Sequence, residues 1–306
     1  MNAGAFALGV GHMPNTYNHV FLNVRRELKD MDIPSYSLEA RLLVSAAAGK
    51  TKEDFIRDMS LYVNRGFEEK VEALLERRLT GEPLAYITGA WEFYGVPIQV
   101  NQHVLIPRVD TEVLASQVIA MAKWLPAGSR ILDLCCGSGC VGLAIAKNVP
   151  QVKLVLADVS PEAMKIARAN VTLNKMTGRV ACATVDARRS PPYSLLGDFD
   201  MIVSNPPYIP TGELSTLDPI VRQYEPMLAL DGGLDGLSFY RAIVSEWKKI
   251  LKPNGAFLFE CGMDKATEVA SILIANGLTK ITRCRDTLGI ERVVVGQFDQ
   301  VTPGEG

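Results

Sequence analysis

The sequence predicts an α/β fold in which a parallel sheet carries helices on both faces, with a smaller helical domain before it. Short apolar runs typical of strands alternate with longer helical stretches from residue 130 onward, which is the pattern of βαβ units. A glycine-rich turn follows the first of these runs, where such a fold binds a ligand. The chain has 306 residues and is 48% hydrophobic, which is enough for one large domain and one small one.

Each element of the expected sheet has its own apolar pattern. The predicted strands are Arg130–Leu134, Val152–Asp158, Val180–Val185, Phe199–Ser204 and Ala256–Glu260. The predicted helices are Cys140–Lys147, Pro161–Asn174 and Phe239–Leu251. Two further runs, Leu278–Cys284 and Glu291–Phe298, come last and are expected to pair as an antiparallel edge.

Helical patterns dominate residues 17–89 and predict a small bundle. One apolar stripe, which Ser37 is expected to cap and Gly49 to end, consists of Leu38, Leu42, Leu43, Ala46 and Ala47. A second stripe consists of Phe67, Val71, Leu74, Leu75 and Leu79. Thr51 is expected to cap a short helix between the two.

A hairpin is expected to join the two domains. The segment Ala90–Val100 alternates between apolar and other residues around Gly95-Val96-Pro97, so we expect residues 90–104 to be a hairpin linker. Residues 1–16 and 299–306 are expected to be loose tails.

Charge balance gives no support for nucleic-acid binding. The chain carries 32 basic and 34 acidic side chains, for a net charge of -2. A protein that grips a phosphate backbone needs a basic patch, and the basic pairs of this sequence are scattered. We therefore expect no direct contact with nucleic acid.

Cysteine and histidine positions predict no metal site. The six cysteines include no C-x-x-C pair, and the three histidines, His12, His19 and His103, all lie upstream of them. No signal peptide is recognisable, so we expect reduced thiols in a cytoplasmic protein. Because no run of about 18 apolar residues occurs, neither a membrane span nor a membrane partner is expected.

The segment Asn205-Pro206-Pro207-Tyr208 directly follows a predicted strand. The Asn205 side-chain oxygen and the Pro206 carbonyl can both accept hydrogen bonds from one substrate NH2 group, because proline supplies no competing donor. The Tyr208 ring can cover the flat face of such a group. A proline turn that only caps a strand is the structural alternative. At the end of a strand in an α/β chain, and with the tyrosine, we interpret the segment as a site for a planar NH2 group.

The segment Ile131–Gly142 has the order of a strand, a glycine-rich turn and a helix start, which a nucleotide cofactor requires. Gly137 and Gly139 are expected to let the backbone approach a ligand closely. Asp158 ends the next strand, where its carboxylate can accept hydrogen bonds from ribose hydroxyls. Asp186 follows the third strand and is expected to hold or border an adenine amino group. A helix N-terminal acid and a loop carboxylate are the structural alternatives for these two.

A dinucleotide cofactor is the competing interpretation of this turn. Residues 137–142 fit G-x-G-x-x-G, and Asp158 lies about 20 residues further on, where a dinucleotide enzyme places its ribose acid. Two features favour a different cofactor. Asp133, at the end of its strand, would repel a pyrophosphate but would pair with a cationic amino-acid head group. The Asn-Pro-Pro-Tyr segment has no role in hydride transfer.

Together these residues resemble the S-adenosylmethionine-dependent methyltransferases of the seven-stranded Rossmann-like class. Asn-Pro-Pro-Tyr is similar to the motif of members that methylate an NH2 group on adenine, guanine or glutamine. Further segments resemble the release-factor glutamine methyltransferases, often called PrmC or HemK, over roughly residues 20–298. These segments are Gly81–Gly89, Glu92–Gly95, Leu105–Glu112 and Tyr224–Gly236.

This resemblance implies a reaction and a substrate. A methyl group would pass from S-adenosyl-L-methionine, leaving S-adenosyl-L-homocysteine, to the side-chain nitrogen (N5) of the glutamine in the Gly-Gly-Gln motif of class 1 peptide chain release factors. Residues 105–298 would be the methyltransferase domain, and residues 17–89 would recognise the release factor.

The resemblance also completes the set of site residues. Those expected to bind the cofactor are Asp133, Cys135, Gly137, Gly139, Asp158, Asp186 and Asn205. The catalytic residues would be Asn205, Pro206 and Tyr208, and Pro207 joins them in binding the substrate. The family commonly has a small or hydroxyl residue at positions 135 and 136 and a proline at Val109, and these departures remove no matched ligand.

Five charged residues are further candidates. Arg108, Asp110 and Glu112 stand where the family's linker runs beside the amino-acid end of the cofactor. Glu225 follows the catalytic segment and is expected to position it, and Glu260 ends a core strand.

Other functions remain open at this point. Glutamine methyltransferases that act on a ribosomal protein are close relatives, although the stretch from Tyr224 to Gly236 favours the release-factor branch. An adenine-N6 or guanine-N2 nucleic-acid methyltransferase shares the motif but would be expected to carry a basic groove or a base-recognition domain. A binding module without activity is disfavoured because the methyl-acceptor motif is intact.

Overall fold

The chain divides into two compact units, Met1–Thr88 and Gly89–Gly306. The computed structural model describes residues 15–192 and 197–298. The expected tails at residues 1–16 and 299–306 lie outside the described residues except for Asn15 and Thr16. These two are part of the first unit, because the Asn15 carbonyl accepts a hydrogen bond from the Val63 N–H at 2.8 Å and Thr16 caps the first helix.

The first unit is helical. Its helices are α1 (Tyr17–Asp30), α2 (Tyr36–Ala48), α3 (Lys52–Arg57), α4 (Arg65–Leu79) and α5 (Leu84–Thr88). The side chains of Thr16, Thr51 and Asn64 each accept a hydrogen bond from the backbone N–H three residues on, which begins α1, α3 and α4. The predicted cap at Thr51 and the predicted end of α2 at Gly49, with a φ of 63°, are confirmed.

The buried face of α2 differs from the predicted stripe. Leu38 is 52% exposed, and Ser37 lies inside the helix rather than at its cap. The side chains that enter the core are Ala40, Leu43, Val44 and Ala47, which recur with helical spacing. Leu43 and Ala47 of the predicted stripe are thus buried, whereas Ala40 and Val44 take the places in the core that we expected for other residues of the stripe.

The second unit opens with a hairpin of β1 (Ala90–Phe93) and β2 (Val96–Gln99). Its two-residue turn is Tyr94-Gly95, with φ values of 50° and 70°, because positive φ at both positions matches the twist of the paired strands. Val96 and Pro97, which we placed in the turn, belong to β2 instead. The expected linker hairpin is therefore part of the second unit.

The described residues of the second unit form a seven-stranded sheet surrounded by helices. Its strands are β3 (Arg130–Leu134), β4 (Lys153–Asp158), β5 (Val180–Thr184), β6 (Phe199–Ser204), β7 (Leu251–Glu260), β8 (Lys280–Arg285) and β9 (Glu291–Gln297). Its helices are α6 (Thr111–Ala122), α7 (Cys140–Asn148), α8 (Pro161–Leu173), α9 (Pro219–Tyr224), α10 (Ser238–Trp247) and α11 (Ala266–Ala275). The predicted fold class is confirmed.

The strand order is β5-β4-β3-β6-β7-β9-β8, with the first five strands parallel and β9 antiparallel to both of its neighbours. The predicted antiparallel pair is thus confirmed. The helix predicted to reach Leu251 ends at Trp247, since Leu251 already pairs with Phe199 as the first residue of β7. The apolar run alone does not separate the helix end from the strand start.

The sheet opens a crevice where its strand order reverses. The chain moves outward from β3 to β5 and then returns to β6 on the other side of β3. In such sheets ligands bind beyond the carboxyl ends of the strands at this point. Large buried side chains, among them Tyr240, Trp247, Phe257 and Phe259, fill the core beside β6 and β7 and hold these strand ends in place.

Two features are absent from the described residues. No helix among them is long and apolar enough to cross a bilayer. The same part of the chain contains no group of three or more histidine, cysteine, aspartate or glutamate side chains arranged to hold a metal ion.

Candidate active site

A cavity opens at the carboxyl ends of β3, β4 and β6. It brings together most of the site residues expected from the sequence, namely Asp133, Cys135, Gly137, Asp158, Asp186, Asn205 and Pro207. Gly139, Pro206 and Tyr208 are not among its lining residues. The parallel sheet thus places acidic residues from three strand ends and the start of the Asn-Pro-Pro-Tyr segment around one space.

The turn after β3 follows a left-handed backbone path that favours glycine. Cys135, Gly137 and Gly139 have φ values of 60°, 52° and 80°. A Cβ on Gly137 would meet no atom within 4 Å, so this residue leaves open space. A Cβ on Gly139 would stand 2.7 Å from Leu156 Cδ1. Gly139, which we expected at the ligand, caps α7 and permits close packing of the turn against β4.

Asp158 ends β4 and holds the neighbouring glycine turn. Its Oδ2 accepts a hydrogen bond from the Gly137 N–H at 2.9 Å, and its Oδ1 accepts one from the Ser160 N–H at 2.9 Å. Burial raises the pKa of Asp158, although these two N–H groups act in the opposite direction. Each carboxylate oxygen keeps a second lone pair, so the fixed side chain can still accept hydrogen bonds from hydroxyl groups in the cavity.

Asp133 is a buried carboxyl group at the same place. It is 2% exposed, and its Oδ2 accepts a hydrogen bond from the Gly142 N–H of α7 at 2.8 Å. Burial raises the pKa of Asp133 to about 7 against the effect of that N–H, and the nearby Asp158 carboxylate adds to the rise. No described residue forms an ion pair with it. A cationic group in the cavity would therefore favour its ionised form.

Asp186 lies in the loop after β5. Its Oδ1 accepts hydrogen bonds from the Arg188 backbone N–H at 2.9 Å and from Arg188 Nε at 3.3 Å. Burial alone would raise the pKa of Asp186, but the hydrogen bonds of Arg188 and the charge of Arg189 outweigh it and lower the pKa. The last residue of α10 anchors this loop, because Trp247 Nε1 donates to the Ala187 carbonyl at 2.9 Å. The anion therefore has a fixed place at the cavity wall.

The Asn-Pro-Pro-Tyr segment is anchored where β6 ends. The buried Ser204 hydroxyl donates to the Leu134 carbonyl of β3 at 2.6 Å. Asn205 Nδ2 donates to Thr111 Oγ1 of α6 at 3.3 Å. This contact uses the donor end of the amide and leaves the Asn205 carbonyl oxygen to accept. The contact with Thr111 is not predicted from the sequence, because nothing local indicates that α6 begins beside β6.

Glycines after α9 form the support behind this segment. The Gly232 N–H donates to the Ile209 carbonyl at 2.8 Å, and a Cβ on Gly232 would stand 2.7 Å from Tyr208 Cα. A Cβ on Gly236 would collide with the Tyr208 carbonyl oxygen. Only glycine permits this close approach of two backbones. The signal for this role in the sequence is the grouping of Gly232, Gly233 and Gly236 in one loop.

Tyr208 packs against backbone at the end of β7. A Cβ on Gly262 would stand 3.1 Å from Cδ2 of the half-buried Tyr208 ring. Burial raises the pKa of Tyr208, the Glu260 carboxylate adds to the rise, and Arg292 and Arg108 oppose it. The phenol is therefore neutral at ordinary pH. The ring is in contact with Gly262 and is absent from the cavity lining.

Glu225 holds the segment before α6. It forms an ion pair with Arg108 Nη2, and its Oε2 accepts a hydrogen bond from the Ile106 N–H at 3.4 Å. Arg108 lines the cavity, whereas Glu225 is buried behind it. We expected Glu225 to position the catalytic segment, but its contacts are with the residues before α6.

Asp110 and Glu112 serve other contacts. Asp110 Oδ2 lies 3.1 Å from Arg292 Nη2 on β9. Glu112 accepts a hydrogen bond from the Tyr94 N–H at 3.0 Å and so holds the hairpin turn. Neither residue is among those that line the cavity, where we expected them.

The cysteines near the glycine turn are neutral thiols at ordinary pH. Burial raises the pKa of Cys135, Cys136 and Cys140, in the last case to about 12, and neighbouring carboxylates add to the rise. Cys135 and Cys140 line the cavity as neutral thiols. A thiol rather than a thiolate is a poor nucleophile, so these residues contribute surface and not chemistry.

Known proteins similar to this chain agree with the geometry. The family model "Methyltransferase small domain" matches residues 109–235, and "PrmC N-terminal domain" matches residues 20–89. The chain is 40% identical over 237 residues to a release factor glutamine methyltransferase of Thermodesulfovibrio yellowstonii, covering 74% of this chain and 80% of the relative. It is 38% identical over 271 residues to the enzyme of that name from Caulobacter vibrioides, covering 88% of this chain and 92% of the relative.

A solved structure supports the fold alone. The catalytic domain of hMettl16 in complex with MAT2A 3'UTR hairpin 1 aligns with a TM-score of 0.55 at 15% identity, covering 84% of this chain and 92% of that one.

The resemblance seen in the sequence is confirmed by the two release factor glutamine methyltransferases, which match most of the chain. This protein, with an acid-lined cavity at the switch point of its sheet and an Asn-Pro-Pro-Tyr segment at the cavity edge, belongs to the release factor glutamine methyltransferase family.

Proposed function

We propose that this protein transfers a methyl group from S-adenosyl-L-methionine to the side-chain amide nitrogen of the glutamine in the Gly-Gly-Gln motif of a class 1 peptide chain release factor. The observation that carries the proposal is the orientation of Asn205. Its Nδ2 is engaged by Thr111 Oγ1, so its oxygen is the end available to a substrate N–H at the cavity wall. The next residue, Pro206, supplies a second carbonyl and no competing N–H.

The cavity suits the proposed cofactor. Asp133 is a buried carboxyl group without an ion-pair partner among the described residues, which a cationic ammonium group would neutralise. Asp158 presents a fixed carboxylate for hydroxyl groups, and Gly137 leaves open space beside it. When bound, S-adenosyl-L-methionine supplies a methyl group on a positively charged sulfur. We propose that these residues, with Cys135 and Asp186, hold it.

The chain's own contribution to the reaction is positioning. An amide nitrogen is a weak nucleophile because its lone pair is delocalised into the carbonyl, so the substrate must be held in a reactive orientation. Asn205 and the Pro206 carbonyl would accept both N–H bonds of the substrate amide. As that nitrogen gains positive charge, the two acceptors bind it more strongly than they bind the neutral amide. A protonated N-alkyl amide is strongly acidic, so no dedicated base is required.

We further propose that Tyr208 and Pro207 shape the substrate side of this site, and that residues 17–89 recognise the release factor. A release factor acts on ribosomes, so the proposal expects a cytoplasmic protein. Direct nucleic-acid contact is not expected, since the net charge of the chain is -2.

Transfer of labelled methyl to a purified release factor tests the function. The expected result is labelling of the factor with an intact Gly-Gly-Gln motif and none when the glutamine is replaced. Equal labelling of both would overturn the site of modification. Labelling only of DNA, RNA or a ribosomal protein would overturn the substrate class. A larger melting-temperature increase with NAD than with S-adenosyl-L-methionine would overturn the cofactor.

A further inference from the structure

Glu260 is a buried carboxyl group directly beside the catalytic segment. Ser204 and Phe259 are register partners in the parallel pair β6–β7, so the next residues along, Asn205 and Glu260, lie side by side at the carboxyl ends of the strands. Glu260 is 3% exposed, and its Oε2 is buried without a hydrogen-bond partner among the described residues. A buried carboxyl oxygen without a hydrogen-bond partner lowers the stability of the fold, so its presence needs an explanation.

The hydrogen-bonding groups that face this carboxyl group are the Thr111 hydroxyl and the Asn205 amide. Thr111 is itself 3% exposed and accepts the hydrogen bond from Asn205 Nδ2. A hydroxyl group that accepts one hydrogen bond still has a proton to donate. The three side chains can therefore form a hydrogen-bond chain in which Asn205 donates to Thr111 and Thr111 donates to Glu260, and the Asn205 NH2 group also faces Glu260 directly.

The donor and acceptor directions in this hydrogen-bond chain depend on whether Glu260 is ionised. An ionised carboxylate only accepts, so Thr111 must donate to it and must accept from Asn205. The donor end of the Asn205 amide is then turned inward and its carbonyl oxygen outward. If Glu260 carried a proton it could donate to Thr111, and Thr111 could donate to the Asn205 oxygen. The amide would then turn its NH2 group toward the substrate, where it would repel the substrate N–H bonds.

We propose that Glu260 is a positioning residue whose carboxylate, acting through Thr111, keeps the Asn205 carbonyl oxygen turned toward the substrate NH2 group. The inference rests on the proposed function and adds a residue to it. Glu260 does not line the cavity and touches no reacting atom. Its effect on the reaction is through Asn205.

The charged and titratable groups around Glu260 determine when this carboxylate is ionised. Burial raises the pKa of Glu260 to about 7, the Thr111 hydroxyl and Arg292 lower it, Asp110 raises it, and Asn205 lowers it. Arg292 reaches this region from β9 and is shared with Asp110 and Asp286. The remaining neighbours, Tyr208, Tyr240, Cys140 and Cys261, are acids whose pKa is raised, so they are neutral.

Kinetics of Glu260→Gln with saturating cofactor and release factor are the first test. The glutamine side chain both donates and accepts hydrogen bonds, so it no longer forces Thr111 to donate to position 260 and to accept from Asn205. We expect kcat to fall about 10- to 100-fold, as for other misplacements of a catalytic group. In the wild type, kcat should increase as pH rises through about 7, and Glu260→Gln should lack this increase. A wild-type kcat and pH profile in the variant would overturn the inference.

Thr111 provides a second test that leaves Glu260 in place. Thr111→Val replaces the hydroxyl group by a methyl group and should lower kcat as Glu260→Gln does, while Thr111→Ser keeps the hydroxyl group and should retain most of the wild-type kcat. The double variant Thr111→Val/Glu260→Gln should be no slower than the slower single variant, because both remove one connection. Additive losses of kcat would contradict a hydrogen-bond chain that runs from Asn205 through Thr111 to Glu260. As a matched control, Glu246→Gln removes a surface carboxylate that pairs with Lys249 and should leave kcat unchanged.

A spectroscopic test does not depend on activity. The Asn205 side-chain amide can be followed by NMR in protein labelled with ¹⁵N-asparagine and assigned with Asn205→Asp. Its signals should shift with a midpoint near pH 7 in the wild type and not in Glu260→Gln. Absence of the shift in the wild type would overturn the inference, even for a fully active enzyme. A wild type that shows the shift but fails to methylate a release factor would overturn the proposed function instead.

Discussion

Asp158 Oδ2 accepts a hydrogen bond from the Gly137 N–H at 2.9 Å, so the acid that ends β4 holds the glycine turn that ends β3. Neighbouring parallel strands deliver these two residues to one edge of the sheet. The carboxylate has two connected effects, because it fixes the turn and also faces the cavity that the turn borders.

Replacing Asp158 by asparagine should weaken cofactor binding. Asparagine keeps the shape but loses the charge, and hydrogen bonds to charged groups contribute about 1.5 to 3 kcal/mol. We therefore expect the dissociation constant for S-adenosyl-L-homocysteine, measured by calorimetry, to rise at least about tenfold. Asp54→Asn, a change to a partly exposed carboxylate in the first unit, is the control. An unchanged dissociation constant in Asp158→Asn would remove Asp158 from the binding site.

Alanine at the two turn glycines should have different effects. Gly139→Ala places a Cβ 2.7 Å from Leu156 Cδ1 at a φ of 80°, so it should destabilise the fold by about 1 to 3 kcal/mol. Gly137→Ala is also strained, at a φ of 52°, but its Cβ meets no atom within 4 Å, so it should destabilise the fold less than Gly139→Ala and affect ligand binding more. Urea unfolding and ligand titration of both variants separate the two effects. The opposite pattern, with Gly137→Ala the less stable variant, would contradict the packing role of Gly139.

Cofactor binding should depend on pH through Asp133. Burial raises its pKa to about 7, so the carboxyl group is protonated below that pH and ionised above it. A ligand with a cationic amino group prefers the ionised form, and its affinity should therefore increase as pH rises from 6 to 8. Titration of Asp133→Asn should show a weaker affinity without this increase. The same pH dependence in the variant would assign it to another group.

The free energy of unfolding should show the opposite trend in the ligand-free protein. A carboxyl group whose pKa is raised on folding binds its proton more tightly in the folded state, as Asp133 and Glu260 do. The stability that these two groups contribute is greatest below about pH 4, where both are protonated even in the unfolded chain, and it falls as pH rises from there through about 7. Glu260→Gln should reduce this fall, measured by urea unfolding at pH 5 and pH 8. An equally steep fall in the variant would contradict the raised pKa.

Asn205→Ala should reduce turnover far more than cofactor affinity. Loss of one preorganised hydrogen-bonding group at a reacting centre typically lowers kcat about 100-fold or more. Asn205 is held by Thr111 and not by the residues of the glycine turn, so the cofactor side of the cavity should keep its shape. Single-turnover rates and ligand titration measure the two quantities. Comparable losses in both would show that Asn205 serves mainly to bind the cofactor.

Much of the fold follows from local patterns. A short apolar run such as Phe199–Ser204, in a chain where strands and helices alternate, is typical of a central strand. The glycine turn before α7 has a local geometric requirement at Gly137. The predicted buried face of α2 is wrong at Leu38. This leucine is exposed, although alanines on another face of the same helix are buried. Burial depends on what packs against the helix, and the helix's own sequence does not contain that information.

The sequence by itself determined the α/β class, the acids at the strand ends, the Asn-Pro-Pro-Tyr segment and the family. Each of these is a property of one segment or of its position along the chain. Tertiary structure decided which of these groups face one cavity, that Gly139 serves packing, and that Glu225 holds Arg108. It also brought Thr111 and Glu260 to Asn205 from distant segments. The physical reason is that burial and hydrogen-bond direction depend on neighbours, and neighbours on separate strands are set only when the sheet assembles.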